Sequence, residues 1–347
     1  MRIGITFDLA PAGRDHDGPD DRYEEFDKPQ TIESLARVLR AEGHEVVLLG
    51  DGREFLGKVL VDPPDFVWNL AEGEGVARSR EARVPATLEM LGIPYSGSDP
   101  LTMAVALEKD VAKRLVQTHD VAVAHGVCLA PDTSAGAILA ILERSIPPGQ
   151  RGALILKPAF EGSSKGIRTH SLVRSLPEAA ALAQHLIRDY HQPILIEEFI
   201  AGDEVTVALV GNGPELEVLG AMRIQPKIRN DEFIYSLEVK RDWEQRVTYE
   251  TPADLPKPVL ETLYRSARTA FNALGCRDVA RIDYRIKGGV PYFIEANPLP
   301  GLAPDWSDLV ILAQGMEIRY PDLIRRILHA GLARVGLAES ASVRALP

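Results

Sequence analysis

The feature that most constrains this chain is a charged β-hairpin near its C-terminal end. The segment Arg281-Ile282-Asp283-Tyr284-Arg285 is followed by Gly288-Gly289 and then by Phe293-Ile294-Glu295-Ala296-Asn297. Adjacent glycines adopt the positive φ angles that a tight turn between two strands requires. Alternation with period two puts Arg281 and Asp283 on one face of the first strand, and Glu295 and Asn297 on one face of the second. The chain must therefore contain an antiparallel pair of strands that carries acids on both arms.

The length of the turn decides whether those two faces coincide. A three-residue loop of Gly288, Gly289 and Val290 places Asp283 opposite Glu295, and it places Arg281 opposite Asn297. A two-residue loop pairs Asp283 with Ile294 instead, because a shift of one residue turns every side chain to the other face. We expect the three-residue loop.

Two carboxylates and an amide oxygen on one surface predict a metal site. The carboxylates repel each other unless a cation lies between them, and oxygen ligands of this kind suit Mg²⁺, with Mn²⁺ as a substitute. The alternative is a pair of solvated surface strands. That alternative does not explain why an acid, a second acid and an Asn occur where Phe293 and Ile294 mark a half-buried strand. We therefore expect Asp283, Glu295 and Asn297 to be metal ligands.

A second motif predicts a phosphate-binding loop. Lys157-Pro158 is followed by Glu161-Gly162-Ser163-Ser164-Lys165-Gly166, which is a strand that runs into small polar residues. Gly and Ser let backbone N–H groups approach oxyanions, and the lysines add positive charge. The loop is not a Walker A motif, and a simple turn is the alternative. A third segment, from Ile194 to Glu204, is a strand that ends in acids. Such acids are usually solvated, so this segment indicates a binding site only in combination with the hairpin and the phosphate-binding loop.

Length, charge and cysteine content exclude several classes of protein. A chain of 347 residues predicts two or three domains. The net charge of −11 argues against a protein that wraps nucleic acid. Cys128 and Cys276 are far apart and the histidines form no ligand-spaced cluster, so disulfide and zinc sites are not expected. We find neither a signal peptide nor a segment long enough to span a membrane, and we expect a cytoplasmic protein without membrane partners.

The order of predicted elements indicates a mixed fold of α/β and α+β character. Over the first hundred residues we predict strands at 1–7, 46–49 and 66–70, with helices at 31–42 and 85–91. A long polar loop lies between Ala10 and Gln30. A helix at 102–117 and another at 134–144 precede strands at 153–157 and 193–198, and the last third is antiparallel, with strands at 204–210 and 218–224.

The ordered set of motifs resembles the ATP-grasp superfamily, and within it the D-alanine:D-alanine ligase family. The likeness runs from about Asn69 to about Leu328. It rests on Leu91-Gly92-Ile93-Pro94-Tyr95-Ser96-Gly97-Ser98, Glu108-Lys109, Lys157-Pro158, Glu161-Gly162-Ser163-Ser164, Arg281-Ile282-Asp283, Glu295-Ala296-Asn297 and Pro300-Gly301. It implies a three-domain ATP-grasp fold, with a Rossmann-like N-terminal domain at 1–100, a central subdomain at 101–199 and a C-terminal subdomain at 200–347.

The resemblance also implies roles for individual residues, in an enzyme that joins a carboxylate to an amine with ATP and Mg²⁺. Groups expected to contact ATP are Lys109, Lys157, Ser163, Ser164, Lys240, Glu197 at the adenine amino group, the backbone of Glu198, Phe199 and Ile200, and Glu204 at the ribose. Groups expected to act in catalysis are Arg281 and the N–H of Gly301, which stabilise an oxyanion, together with Lys240 and Ser163. The alternatives are solvated lysines at 109 and 240, and a structural ion pair for Arg281.

The sequence departs from the family where substrate would bind. The family places a Glu for the substrate ammonium in a short loop after the first strand, whereas here only Glu24 or Glu25 of the long loop could serve. Arg241 stands where a Tyr is usual, and Ser307 lies one residue late in Pro304-Asp305-Trp306-Ser307-Asp308. We expect Glu24, Arg241, Arg281, Gly301 and Ser307 to bind substrate. The segment Asn69-Leu70-Ala71-Glu72-Gly73-Glu74, with Arg78, Arg80 and Arg83, either shapes a substrate pocket or forms an ordinary salt-bridged loop.

We expect a ligase acting on small amino acids, with D-alanine as the first choice. Another amino acid or a small peptide is the close alternative substrate. Because members of the family dimerise, the resemblance also implies a homodimer. An ATP-binding sensor without catalysis is a different class, against which the retained Arg281 and metal groups argue. An NAD-dependent enzyme is not expected, because the N-terminal layer lacks GxGxxG.

Overall fold

The computed structural model describes residues 1–11, 18–150, 152–228, 230, 232–304 and 306–338. Within these ranges the strands form three sheets. Residues 12–17 of the long polar loop, and Asp305 in the segment that carries Ser307, lie outside the described residues.

The N-terminal sheet is parallel, with strand order β2-β1-β3. Its strands are β1 (Arg2–Thr6), β2 (Glu45–Gly50) and β3 (Phe66–Asn69), and its helices are α1 (Pro29–Ala41), α2 (Gly52–Val61) and α3 (Arg83–Leu91). Ile3 and Ile5 on the central strand are fully buried, as expected for a parallel strand covered on both faces. Helix α3 ends at Gly92, which takes the left-handed φ of 68°. The predicted strands and helices of this region are confirmed, and α2 is additional.

The predicted helix at 102–117 is two helices, which corrects that prediction. They are α4 (Pro100–Leu107) and α5 (Lys109–Gln117), and the intervening Glu108 is extended, with φ −84° and ψ 94°. The Lys109 N–H donates to the carbonyl of Ala159 at 3.1 Å rather than to the preceding turn. This break turns the Lys109 side chain inward, where it is 3% exposed.

The central sheet has the order β4-β7-β5-β6 and is antiparallel. Its strands are β4 (Gly126–Leu129), β5 (Leu154–Pro158), β6 (Leu172–Val173) and β7 (Ile194–Glu198), and its helices are α6 (Ala135–Ser145) and α7 (Leu176–Tyr190). The two helices bury Ile138, Leu142 and Ala183 against Leu156 and Ile196 of the sheet. Single 3₁₀ turns lie at Pro148–Gln150 and Thr169–Ser171.

The C-terminal sheet has the order β10-β9-β8-β11-β12 and is also antiparallel. Its strands are β8 (Asp203–Val210), β9 (Glu217–Pro226), β10 (Val247–Glu250), β11 (Val279–Lys287) and β12 (Val290–Asn297). The remaining helices are α8 (Leu237–Arg241), α9 (Trp243–Arg246), α10 (Lys257–Leu274), α11 (Asp308–Gly315) and α12 (Tyr320–Arg334), and a 3₁₀ turn lies at Gly213–Glu215. The predicted α/β and α+β class is confirmed.

The β11–β12 hairpin has the expected facing residues but not the expected loop. Lys287 pairs with Val290, so the turn is the two residues Gly288 and Gly289, with φ of 59° and 80°. A β-bulge lies between Asp283 and Tyr284, opposite the extra residue of β12, so that Asp283 faces Glu295 and Arg281 faces Asn297. The predicted three-residue loop is wrong. The extra residue that places Asp283 opposite Glu295 is Ile294, within strand β12, and not a third residue of the turn.

The N-terminal and C-terminal sheets share a core. Ile3, Leu35 and Trp68 belong to the same buried cluster as Leu309 and Ile327. Helix α5 packs instead on the C-terminal sheet, where Ala112 and Val116 join Leu209 and Ile282. These shared cores do not define boundaries between domains. The domain limits of 1–100, 101–199 and 200–347 remain our proposal. Among the described residues, none of the helices is both long and apolar enough to cross a membrane.

Candidate active site

The acids of the hairpin lie together on the face of the C-terminal sheet that meets the central sheet. Thr206 on β8 donates to Asp283 Oδ1 at 2.6 Å, and Asn297 Nδ2 donates to Asp283 Oδ2 at 3.1 Å. Glu295 is directly opposite Asp283 across the strands. The structure thus brings Asp283, Glu295 and Asn297 together, as the sequence predicted.

Arg281 is held between two acids. Its Nη2 lies 2.9 Å from Asp283 Oδ2, and its Nη1 lies 2.9 Å from Asp308 Oδ2. Its side chain is 12% exposed. Although burial opposes the charge, Asp283 and Asp308 keep the guanidinium charged by raising its pKa. The guanidinium is therefore a fixed positive charge on the wall of the site.

Lys109 joins helix α5 to the hairpin. Its Nζ lies 3.0 Å from Glu295 Oε2, and it also donates to the carbonyl of Glu161. Burial opposes ionisation of Glu295, but Lys109 and then Lys157 outweigh it, so its pKa is lowered to about 2. Glu295 is therefore a carboxylate at neutral pH.

A buried triad lies beside this pair. Lys113 Nζ is 2.6 Å from Glu197 Oε1, and Lys157 Nζ is 2.7 Å from Glu197 Oε2. Burial lowers the pKa of Lys113 to about 8, since Glu197 only partly restores it, and the two lysines lower the pKa of Glu197 against its burial. The sequence prediction missed Lys113. Its spacing of four residues from Lys109 on one helix was the available signal.

The predicted phosphate loop follows β5 and has an unusual backbone. Ser163 and Ser164 both have positive φ, at 47° and 60°, a region that non-glycine residues seldom adopt. Ser164 Oγ donates to the carbonyl of Tyr235 at 2.9 Å, which ties the loop to the C-terminal lobe. Strain of this kind is concentrated at functional sites, and here it is held by neighbouring contacts.

A narrow cavity of about 90 Å³ lies between the central and C-terminal sheets. Most groups expected to contact ATP line it, namely Lys157, Ser164, Glu197, Glu198, Phe199, Ile200, Glu204 and Lys240. Glu204 pairs with Arg285 at 3.1 Å, and the guanidinium of Arg285 lies 4.6 Å from the ring centroid of Phe199. Glu198 accepts from the backbone N–H of His125 at 3.2 Å.

A larger cavity of about 540 Å³ continues from it beside the N-terminal domain. Predicted site residues that line it are Glu24, Lys109, Ser163, Lys240, Arg241, Arg281, Glu295, Asn297, Gly301 and Ser307. Lys240 Nζ lies 5.0 Å from the Tyr235 ring centroid. Ser307 Oγ accepts from the Ala303 N–H at 3.0 Å. A volume of this size suits a small-molecule site.

Two residues expected to bind substrate bind each other. Arg241 contacts Glu24 at 2.7 Å and Asp20 at 2.8 Å, so α8 is tied to the loop before α1. Glu25 is buried instead, and Arg80 and Lys165 lie 2.9 Å and 3.1 Å from it. The sequence offered no means of choosing between these neighbouring acids.

The residues of the hairpin fit a hard divalent cation. Asp283 and Glu295 offer carboxylate oxygens from facing positions, and Asn297 adds an amide oxygen, which is the donor chemistry that Mg²⁺ prefers. Across the described part of the chain, no group of three or more His, Cys, Asp or Glu side chains could hold a metal ion. A cation here would therefore depend on these three residues and on the phosphates of a bound nucleotide.

The sequence is similar to that of D-alanine–D-alanine ligases. The family model described as "D-ala D-ala ligase C-terminus" covers residues 150–329. The D-alanine–D-alanine ligase of Geotalea uraniireducens (strain Rf4) is 32% identical over 304 residues, which is 87% of this chain and 90% of the relative. That of Gloeobacter violaceus is 32% identical over 306 residues, 86% of this chain and 92% of the relative.

Solved structures share the fold. D-alanine–D-alanine ligase from Bacillus anthracis complexed with ATP aligns with a TM-score of 0.72 and 21% identity, covering 96% of this chain and 98% of that one. VanG D-Ala:D-Ser ligase from Enterococcus faecalis aligns with a TM-score of 0.72 and 20% identity, covering 95% and 99%. Because relatives 32% identical span more than four-fifths of its length and the family model matches residues 150–329, this chain belongs to the D-alanine–D-alanine ligase family of the ATP-grasp superfamily.

Proposed function

We propose that this chain is an ATP-dependent ligase that joins D-alanine to D-alanine. The observation that carries the proposal is the convergence of Arg281, Lys109 and the facing acids Asp283 and Glu295 where the two cavities meet. Membership of the D-alanine–D-alanine ligase family supports ATP-dependent ligation as the type of reaction. The two cavities support it further, because one could hold a nucleotide and the other the amino acids.

The reaction has two steps. The carboxylate of the first amino acid attacks the γ-phosphorus of ATP, which gives an acyl phosphate and ADP. The amine of the second attacks the acyl carbon, the C–O bond to phosphate breaks, and the amine proton is released. Because no group of the protein forms a covalent bond, its residues act by positioning the substrates and neutralising charge.

The narrow cavity is proposed to hold ATP. Glu198 to Ile200 would line the adenine, with Glu197 at its amino group and Glu204 at the ribose. Lys109, Lys157, Lys240 and the Ser163–Ser164 loop would hold the phosphates, with Lys240 at the phosphate in transfer. Mg²⁺ or Mn²⁺ held by Asp283, Glu295 and Asn297 would neutralise the outer phosphates when bound.

The large cavity is proposed to hold the amino acids. Arg281 and the N–H of Gly301 would stabilise the oxyanion of the second step, and Ser307 would hold the carboxylate of the second amino acid. Arg241 and Glu24 would close the loop over this cavity through their mutual ion pair.

Incubation of the protein with ATP, Mg²⁺ and D-alanine tests the function. We expect release of inorganic phosphate and one molecule of dipeptide for each phosphate. Binding of ATP with no phosphate released by any D- or L-amino acid would favour a sensor instead.

A ligase for a different amino acid or a small peptide is the second candidate. The wall beside α3 carries more acids than one alanine ammonium requires, and Arg241 stands where the resemblance to the family implies a Tyr. A screen of D- and L-amino acids by phosphate release distinguishes the two candidates. A homodimer is also proposed, and light scattering of the purified protein tests it.

A further inference from the structure

The long polar loop after β1 contacts the predicted phosphate loop of the central sheet. We call residues 18–27 of the former the acidic segment, and residues 162–166 the phosphate loop. The acidic segment is anchored beside the end of β1, where the N–H of Asp27 donates to the carbonyl of Asp8 at 2.9 Å. It therefore reaches the phosphate loop from the N-terminal sheet.

Carboxylates of the acidic segment bind both ends of the phosphate loop. The N–H of Gly162 donates to Glu25, and the N–H of Gly166 donates to Asp21 Oδ2 at 2.9 Å. The two serines between these glycines have positive φ angles of 47° and 60°. Within the described part of the chain, the N–H groups of those serines donate to no protein acceptor. Two amide donors in the middle of the loop thus stay available for an anion.

Asp21 is the fully buried member of these contacts, with 0% of its surface exposed. Its Oδ2 accepts from the Tyr190 hydroxyl at 2.9 Å and from Arg168 Nη2 at 3.1 Å, in addition to the N–H of Gly166. Hydrogen bonds to an ionised acceptor are stronger than those between neutral groups. One carboxylate oxygen therefore joins the phosphate loop to the end of α7 and to the residues that follow the loop.

The ionisation of the two side-chain donors agrees with a charged Asp21. Burial opposes the charge of Arg168, but Asp21 and then Asp20 outweigh it and raise the pKa of Arg168. Burial, and then the charge of Asp21, raise the pKa of Tyr190, so that its hydroxyl keeps the proton it donates.

The backbone at Gly166 lies too close to its neighbours for any other residue. Its φ is 72°, and a Cβ there would lie 2.4 Å from Pro158 Cγ and 3.2 Å from the Tyr190 ring. Only glycine permits this approach. A strained backbone persists where the surrounding structure over-determines it. The contact with Asp21 is one of the restraints that keep the phosphate loop in its conformation.

We propose that Asp21 is a positioning residue for the phosphate loop, and that it fixes Gly166 so that the amides of Ser163 and Ser164 meet the phosphates of the nucleotide. This inference rests on the proposed ligase function, in which this loop holds those phosphates. Asp21 lines neither of the two cavities of the site, so it acts through the loop rather than by touching substrate.

Hydrogen–deuterium exchange of Asp21→Asn tests the restraint directly. The amide keeps an oxygen beside Gly166 but loses the negative charge. We expect the amides of residues 162–168 to exchange about tenfold to a hundredfold faster than in wild type, as for loss of a hydrogen bond to a charged group. Strands β5 and β7 should exchange as in wild type. Asp189→Asn is the matched control, since it changes an aspartate with a partly exposed side chain beside Tyr190 on α7.

Steady-state kinetics separate positioning from simple stabilisation. In phosphate release, we expect the KM for ATP of Asp21→Asn to rise about tenfold, and the KM for D-alanine to change by less than about twofold. If Asp21 only stabilised the fold, exchange would rise across the whole central sheet and both KM values would stay the same. Exchange at residues 162–168 within twofold of wild type, exchange raised equally in β5 and β7, or an unchanged KM for ATP would overturn the proposal.

Tyr190→Phe decides the question if Asp21→Asn fails to fold. It removes one donor to Asp21 and leaves the carboxylate charged, so we expect exchange about threefold to tenfold faster, confined to residues 162–168. Exchange equal to wild type would then count against the positioning role.

Failure of the ligase function gives a different result. Wild type then releases no phosphate with any amino acid, and calorimetry with ATP and Mg²⁺ decides the role of Asp21 by itself. Weaker ATP binding by Asp21→Asn than by wild type supports it, whereas equal binding, or none by wild type, overturns it.

Discussion

Arg281 is the side chain on which the proposed chemistry depends most. Its guanidinium contacts Asp283 and Asp308 at 2.9 Å each, and it lines both cavities. An arginine held in this way needs little reorganisation to meet a developing negative charge, which is the condition for strong electrostatic stabilisation. The same contacts give it a structural role, so a test must separate the two.

Arg281→Ala should lose ligation while it still binds ATP. We expect kcat to fall by about 10² to 10³, the usual cost of one oxyanion donor. Arg326→Ala removes an exposed arginine that pairs with Glu217, and it serves as the control. Turnover within a few-fold of wild type in Arg281→Ala would contradict the proposed role, and a measurement of Tm shows how much of any loss is structural.

Glu197→Gln tests the buried triad. The amide cannot neutralise Lys113 and Lys157, which would then be two buried cations that have lost the carboxylate in direct contact with both. Removal of one partner from a buried ion pair typically costs about 3–5 kcal/mol. We expect a markedly lower Tm and weaker ATP binding, measured by thermal melting and calorimetry. Glu198→Gln changes the adjacent acid, which accepts a hydrogen bond from the backbone N–H of His125, and should melt close to wild type.

At the scale of elements, the strands and helices were predictable where their periodicity was plain. Strand β1 and helix α1 follow their patterns to within two residues. The break at Glu108 was not predictable, because the hydrogen bond that causes it runs from Lys109 to Ala159, far along the chain. The hairpin shows the same limit, since its facing residues were expected and the bulge that aligns them was not.

A glycine inserted between Gly288 and Gly289 tests what sets the register of the hairpin. Tyr284 packs on Phe293 with ring centroids 6.0 Å apart, and β11 is also paired to β8, so the register is held within the sheet. We expect the insertion to change Mg²⁺-dependent ATP affinity by less than about twofold and to lower Tm slightly, because a longer loop costs little.

Glu295→Gln is the reference for that experiment, since it removes one proposed metal ligand and should abolish most of the Mg²⁺ dependence. If the insertion behaves like Glu295→Gln, then the turn sets the register and the bulge does not.

At the scale of the whole molecule, the site is built from contacts between regions distant in sequence. Lys113 comes from α5 and Glu197 from β7, and Arg80 meets Glu25 and Glu161 from two other regions. Sequence motifs predicted the residues on the hairpin and the loop, because those residues are local. They could not predict which lysine meets which acid, because that depends on how three sheets are assembled.

The same assembly buries acids near the end of β1, which makes stability depend on pH. Burial, and then the charge of Asp8, raise the pKa of Asp27 to about 7, and Asp8 itself is raised to about 7 by burial, with Asp51 adding to it. Both aspartates have a higher pKa in the folded protein than in the unfolded chain. Their contribution to the free energy of unfolding is therefore complete only below the pKa of the unfolded chain. It is lost as pH rises through about 7.

Asp27→Asn should therefore raise stability at high pH only. At pH 8 wild type carries a buried carboxylate at Asp27 that faces Asp8 and Glu72, whereas the amide carries no charge. We expect the variant to be more stable by on the order of 2 kcal/mol at pH 8 and nearly equal to wild type at pH 5. Melting curves at pH 5, 6, 7 and 8 measure this, with the exposed Asp132→Asn as control. A gain at pH 5 as large as that at pH 8 would show that the effect of Asp27 is packing rather than charge.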